Sequence, residues 1–341
     1  MSAARSVLIL TDRFDPTADR VVEQLNERGT PVFRCDVAEF PESLSVAAEL
    51  GSSGWSGWLR TARRSLDLDA VSGIYYRRPT RFAFHPDMSA NEQRWAAIQA
   101  RMGFGGLLAA VGPWLNHPHR IGYAEYKPAA LQAAVACGLR VPRTLVTNAP
   151  EKAREFVAEV GGRAVCKPFG GAGVTDTDGH HQVFAGIVTP DECATPSVGR
   201  TMHLFQQWVP KSYEVRLTVV DGQYFAARID SASSAGYLDW RADYDSLTYT
   251  PIETPNTVRA RVAALLDMLG LRFGALDFVV DPREEWWHLE TKRGSRTRHR
   301  CRSRRPSPTR WKERRNDRAR IPLGAAVRLG RRTCRQRPRD R

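Results

Sequence analysis

Asp277 and Glu290 stand in the stretch FGALDFVVDPREEWWHLET, residues 273–291. Two apolar runs, ALDFVV and WWHLE, flank the polar turn DPREE, a pattern that predicts a β-hairpin with one acid on each strand. Two carboxylates on rigid strands offer the hard oxygen ligands that Mg²⁺ takes when it carries nucleotide phosphates, with phosphate and water completing the octahedron. Taken alone, such a pair reads more simply as two solvated acids on an edge hairpin. Its chemistry depends on what stands upstream.

Upstream, in order, come Lys127, Lys167, the loop Gly170-Gly171-Ala172-Gly173, Arg216 and Arg228. Two lysines 40 positions apart can bracket a polyphosphate as point charges. Small residues let backbone N–H groups close over phosphates. Arg216 and Arg228 fall on neighbouring strands of a hairpin turned at Asp221-Gly222, where they would steady a developing oxyanion. Arg77 and Arg78, at the end of VSGIYYRRPTRF, suit an anionic substrate or surface ion pairs equally well. Each piece alone has an ordinary explanation: a solvated lysine, a turn, a surface pair. The ordered set carries the argument.

Several elements must position these groups. SVLIL (6–10), TADRVVEQLNERG (17–29) and PVFRCD (31–36) read as strand, helix and strand, with Thr17 as helix cap and Gly29 as stop. This β-α-β start predicts a small parallel sheet, without the GxGxxG of a dinucleotide site. LGSSGWSGWLR (50–60) suggests a hairpin, residues 89–111 a helix, and WLNHPHR (114–120) a loop. Residues 126–148 read as helix, Gly138 stop and strand; 149–162 as a helix; 163–174 as a strand entering the glycine loop. Strands are expected at 203–210 and 214–229, and an amphipathic helix at 256–271 with Val258, Val262, Leu265, Leu266 and Leu269 inward.

Composition narrows the class. The 341 residues suffice for two domains or more, and no run of 18 apolar residues suggests a membrane span. The apolar start is too short for a signal peptide, and the six cysteines lack metal spacing, so a cytoplasmic protein with reduced thiols is expected. The formal charge of +14 divides unevenly: residues 291–341 carry +18, and the preceding 290 residues carry −4. The body is mildly acidic; the basic character belongs to the tail.

From about residue 121 to 291 the chain resembles the ATP-grasp enzymes, most closely their RimK and glutathione synthetase branch. The resemblance implies nucleotide contacts from Lys127, Lys167, Gly170, Gly171 and Gly173, an adenine hinge at Gln206-Gln207-Trp208-Val209, and an acid-x-Arg pair in Glu214 and Arg216. It implies Arg216 and Arg228 as catalytic groups and Asp277 and Glu290 as Mg²⁺ ligands. YYRRPTRF, LRVPRTLVTN, VCKPFGG, WVPKSYEVRLTVVDG and LDWRADY resemble, as a set, the ATP-grasp ribosomal peptide maturases, or graspetide synthetases. The implied fold is a mixed α/β and α+β ATP-grasp fold. A pre-ATP-grasp α/β domain would span 1–120. The ATP-grasp domain would span 121–291, with a lid at about 140–205 and a metal-binding sheet at about 206–291. The implied chemistry uses ATP to phosphorylate a side-chain carboxylate of a ribosomal precursor peptide, leader and core. A hydroxyl or amine of the same peptide then attacks, closing an ester or amide ring. Asp239 and Arg241, with Arg77 and Arg78, are implied peptide contacts; a surface salt bridge explains Asp239 and Arg241 as well. A homo-oligomer is compatible with this reading.

The pattern breaks at one point. The family's Glu-x-Asn places Asn at 292, where this chain has Glu290-Thr291-Lys292. An arginine-rich tail without apolar period follows, because 292–341 is out of frame, is a disordered extension, or is an arm binding nucleic acid non-specifically. The break falls inside the motif, which favours the shifted frame. The competing function is therefore a non-catalytic, nucleotide- or peptide-binding remnant disabled at its metal motif.

Overall fold

The computed structural model describes residues 5–170, 173–176, 179–182, 185–233, 237 and 244–292. β1 (Ser6–Thr11), α1 (Pro16–Glu27) and β2 (Val32–Cys35) form the expected parallel start. Leu8, Ile9 and Leu10 are consecutive and all buried, as in a parallel strand covered on both faces. The cap of α1 is Asp15 rather than Thr17: its carboxylate accepts from the Thr17 and Ala18 amides, and Pro16 begins the first turn. β3 (Ser45–Gly51), β4 (Gly54–Arg60) and β5 (Ser65–Asp67) make an antiparallel sheet. β6 (Val71–Arg78) then returns beside β1, giving the order β2-β1-β6. The helix expected at 89–111 is two, α2 (Ala90–Met102) and α3 (Phe104–Ala110), interrupted at Gly103. The expected loop at 114–120 instead runs into α4 (Pro118–Glu125), because Pro118 suits a first helical turn.

α5 (Lys127–Ala136), β7 (Thr144–Thr147), α6 (Pro150–Glu159) and β8 (Ala164–Lys167) follow as read. A short ribbon of β9 (Gly173–Asp176) and β10 (Gly179–Gln182) comes next. β11 (Gly186–Val188), α7 (Pro190–Cys193) and β12 (His203–Gln207) complete a four-stranded antiparallel sheet, β11-β8-β12-β7. Phe156, Val157 and Phe205 centre its core against α6.

The largest sheet has the order β15-β14-β13-β16-β17. Its strands are β13 (Tyr213–Val220), β14 (Gln223–Ser231), β15 (Leu247–Ile252), β16 (Phe273–Val280) and β17 (Trp286–Lys292). Asp221 (φ 50°) and Gly222 (φ 79°) form the two-residue turn from β13 to β14, both residues left-handed, as a tight hairpin requires. Val215, Leu217 and Val219 alternate onto one face, where α8 (Asn256–Leu269) covers them with the five apolar side chains expected from its period. Each fully buried Leu or Val there contributes roughly 1.5–3 kcal/mol. The opposite face keeps Glu214, Arg216 and Asp277 for other use. Asn116 ties the preceding region to β16: its amide donates to Phe273 O (2.7 Å) and its oxygen accepts from the Arg272 and Phe273 amides (2.9 and 3.0 Å).

Candidate functional site

A cleft of about 750 Å³, open to solvent, lies between the four-stranded and five-stranded sheets. Lys127 is the first residue of α5; its ammonium donates to Pro168 O (2.6 Å) and lies 3.4 Å from Glu290 Oε2. Lys167 ends β8 and donates to Gln206 Oε1 (2.5 Å), while Gln206 Nε2 donates to Thr144 Oγ1 (3.1 Å). Gln206 is almost fully buried, so this relay fixes its amide at the wall of the cleft. Gln207, Trp208 and Val209 continue that wall where β12 runs out of its pairing.

The five-stranded sheet supplies the other wall. Asp277 stands opposite Arg216 on β13 and opposite Glu290 on β17, so three charged groups share one rung. Arg216 Nε lies 2.9 Å from Asp277 Oδ1. The pairing of β16 with β17 slips between Asp277 and Phe278: Glu290 faces Asp277, but His288 faces Phe278. Leu289 is the extra residue, a β-bulge, and with Glu290 it lines the cleft. His288 turns to the core, where burial holds its imidazole neutral, with its pKa down to about 4. Lys292 completes the cluster: its ammonium donates to Asp277 Oδ2 (2.9 Å) and lies 2.7 Å from Glu290 Oε1.

Lys127, Lys167, Gln206, Trp208, Val209, Glu214, Arg216, Asp277 and Glu290 are thus gathered at the cleft. Arg228 is not. The register pairs Val215 with Arg228 and Arg216 with Ala227, and paired residues share a face, so the two arginines point to opposite sides of the sheet. Arg228 stacks over the Tyr213 ring (4.1 Å) and chelates Asp230. Arg77 is buried at the end of β6, 3.4 Å from Asp15 Oδ2, and Arg78 is exposed beside it; neither lines the cleft. Gly170 follows β8 and Gly173 opens β9, whereas Gly171, Asp239, Arg241 and the tail 293–341 lie outside the described residues.

Lys211 belongs to the site and was not singled out in the sequence. It is buried, ion-paired to Glu214 three residues on, and sits over Tyr237 (4.9 Å) and Trp208 (5.9 Å). Its signal was the spacing K-S-Y-E within WVPKSYEVR, where a lysine and the acid-x-Arg acid stand close enough to pair.

The donors suit an anionic ligand with a flat apolar part: ammonium groups, a guanidinium, and Trp208, Val209 and Val279 on the walls. They do not suit a divalent cation. All four oxygens of Asp277 and Glu290 already face a cation of the chain. Among the described residues, no helix is long and apolar enough to cross a membrane.

Residues 6–121 match the family model of the MvdD pre-ATP-grasp domain. No curated protein sequence matches the chain. Solved structures do. A RiPP-associated ATP-grasp ligase of Chryseobacterium gregarium, in complex with ADP and a leader and core peptide, is 26% identical, with a TM-score of 0.79 over 85% of this chain and 90% of that one. The macrocyclase MdnC of Microcystis aeruginosa, bound with precursor peptide MdnA, is 27% identical, with a TM-score of 0.75 over 86% and 92%. The macrocyclase MdnB of the same organism is 27% identical, with a TM-score of 0.70 over 85% and 92%. Sheet order, cleft and neighbours make the chain an ATP-grasp ligase in fold. Within that class it is similar to RiPP-associated ATP-grasp ligases and macrocyclases over 85–86% of its length.

Proposed function

We propose that the chain uses ATP to activate a carboxylate of a ribosomal precursor peptide. The observation that carries this reading is the convergence of Lys127, Lys167 and Arg216 on one cleft beside the buried Gln206 wall. Gln207, Trp208 and Val209 offer backbone groups and an apolar wall to adenine. Lys127 and Lys167 attract the phosphates as mobile point charges. Glu214, held by Lys211, is available to the ribose. Arg216 steadies the charge that develops when the γ-phosphoryl group passes to the peptide carboxylate, releasing ADP. The acyl phosphate so formed is a better electrophile than the carboxylate. A side-chain hydroxyl or amine of the peptide then attacks the carbonyl, loses its proton and expels phosphate, leaving an ester or amide ring. The neighbouring ligases crystallised with precursor peptides support a peptide as substrate.

The test is ADP release in the presence and absence of a ribosomal precursor peptide that carries both leader and core. Release should depend on the peptide, and Lys167→Ala should lower it by about a hundredfold or more with the fold unchanged by circular dichroism. Peptide-independent release, or full release by the variant, would sink the reading. One observation favours a second reading, nucleotide binding without turnover: Lys292 bridges Asp277 and Glu290. That reading expects bound nucleotide and no ADP under any peptide condition.

A further inference from the structure

We infer that Lys292 is a built-in counter-ion standing where a divalent cation would sit, so that this chain takes its adenine nucleotide as the metal-free anion. The inference rests on the nucleotide reading of the cleft. Its geometry is specific. The ammonium lies 2.9 Å from Asp277 Oδ2 and 2.7 Å from Glu290 Oε1, the two oxygens that face each other across the β16–β17 rung. The other oxygens of the same carboxylates face Arg216 (2.9 Å) and Lys127 (3.4 Å). A magnesium ion needs oxygens at about 2.1 Å in an octahedron. Reaching these would bring two positive charges more onto an ammonium already seated between them. The ammonium would have to leave, and its departure would cost two charge-assisted hydrogen bonds in a half-buried setting.

Charge makes the alternative workable. Among the described residues around the cleft, Lys127, Lys167, Lys211, Arg216 and Lys292 oppose Glu214, Asp277 and Glu290, an excess of two positive charges in that set. A free nucleoside diphosphate or triphosphate is a polyanion, and that excess attracts it without an added metal. With an uncharged residue at 292 the excess falls to one, and the carboxylates regain oxygens to share with a metal.

The experiment is equilibrium binding of a fluorescent ADP analogue to the full chain and to Lys292→Asn, each in EDTA and in Mg²⁺. Electron paramagnetic resonance of Mn²⁺ added with ADP provides a second readout. The wild-type chain should bind the analogue no more tightly with Mg²⁺ than with EDTA, because Mg²⁺ sequesters the free nucleotide, and the Mn²⁺ signal should match that of Mn²⁺ with ADP alone. Lys292→Asn should bind about tenfold or more tightly with Mg²⁺ than with EDTA, roughly the weight of one charge-assisted contact, and should capture Mn²⁺. Wild-type binding that requires Mg²⁺, or Mn²⁺ captured by the wild-type complex, overturns the inference and leaves the nucleotide reading standing. Failure of the wild type to bind in either condition overturns both. The wild-type arms decide the matter even if the variant does not fold.

Discussion

Lys211 and Glu214 form a buried ion pair beneath Trp208 and Tyr237, with side chains 5% and 10% exposed. Removing one partner leaves the other charge buried, and that penalty exceeds what the pair itself contributes. Lys211→Met should therefore lower stability by about 3 kcal/mol, read as a fall in the urea midpoint. Adding Glu214→Gln should restore much of the loss, because the orphan charge is gone. A single variant as stable as the parent would show that water reaches Glu214. At this scale the sequence was informative about identity and silent about partners. Lys127, Lys167, Asp277 and Glu290 stand out by order, and they meet. Arg228 stands out equally, and one step of register sends it to the far face. Lys211 is harder to read, because it stands in the link between β12 and β13 and on no periodic element. The departure at Lys292 was plain to read; that it bridges both acids was not, since a bridge depends on rotamers rather than spacing.

Among the elements, the join between α4 and the large sheet depends on Asn116, whose amide satisfies a carbonyl and two amides at the start of β16. Asn116→Ala would leave three backbone groups without that partner in a buried place. We expect a loss of about 2–3 kcal/mol, measured as a lower melting temperature, with nucleotide binding kept at low temperature. An unchanged melting temperature would mean that water replaces the amide. Elements with strong period were legible: α8 buries the five residues expected, and Asp221-Gly222 turns as read. Boundaries set by single residues were less so. Asp15 caps α1 ahead of Thr17, Gly103 divides one expected helix into two, and Pro118 opens a helix in an expected loop. A carboxylate that accepts from two amides, a residue without a side chain and a ring with fixed φ set these ends, and hydrophobic period registers none of them.

For the whole molecule, the cleft is built from two sheets whose cores are separate, one around Phe205 and one around Phe278. A ligand held by both couples their unfolding by mass action. ADP at a hundred times its Kd should stabilise the chain by about 2.7 kcal/mol, seen as a rise in melting temperature. With Lys292 in place, the rise should persist in EDTA. A rise seen only with Mg²⁺ would assign the coupling to the metal. The charge of the whole chain is the least informative number here: +14 overall conceals a body of −4, and the cationic cleft was legible only residue by residue.

The slip at Leu289 gives β17 two phases. Before it, every second side chain enters the core; after it, the count restarts for the cleft. The facing of Glu290 consequently depends on the slip and not on its identity alone. Were β17 to pair without looping out Leu289, Glu290, two positions after His288, would share its face and turn its carboxylate under the sheet, erasing half of the acidic pair while leaving every residue of that pair in the sequence.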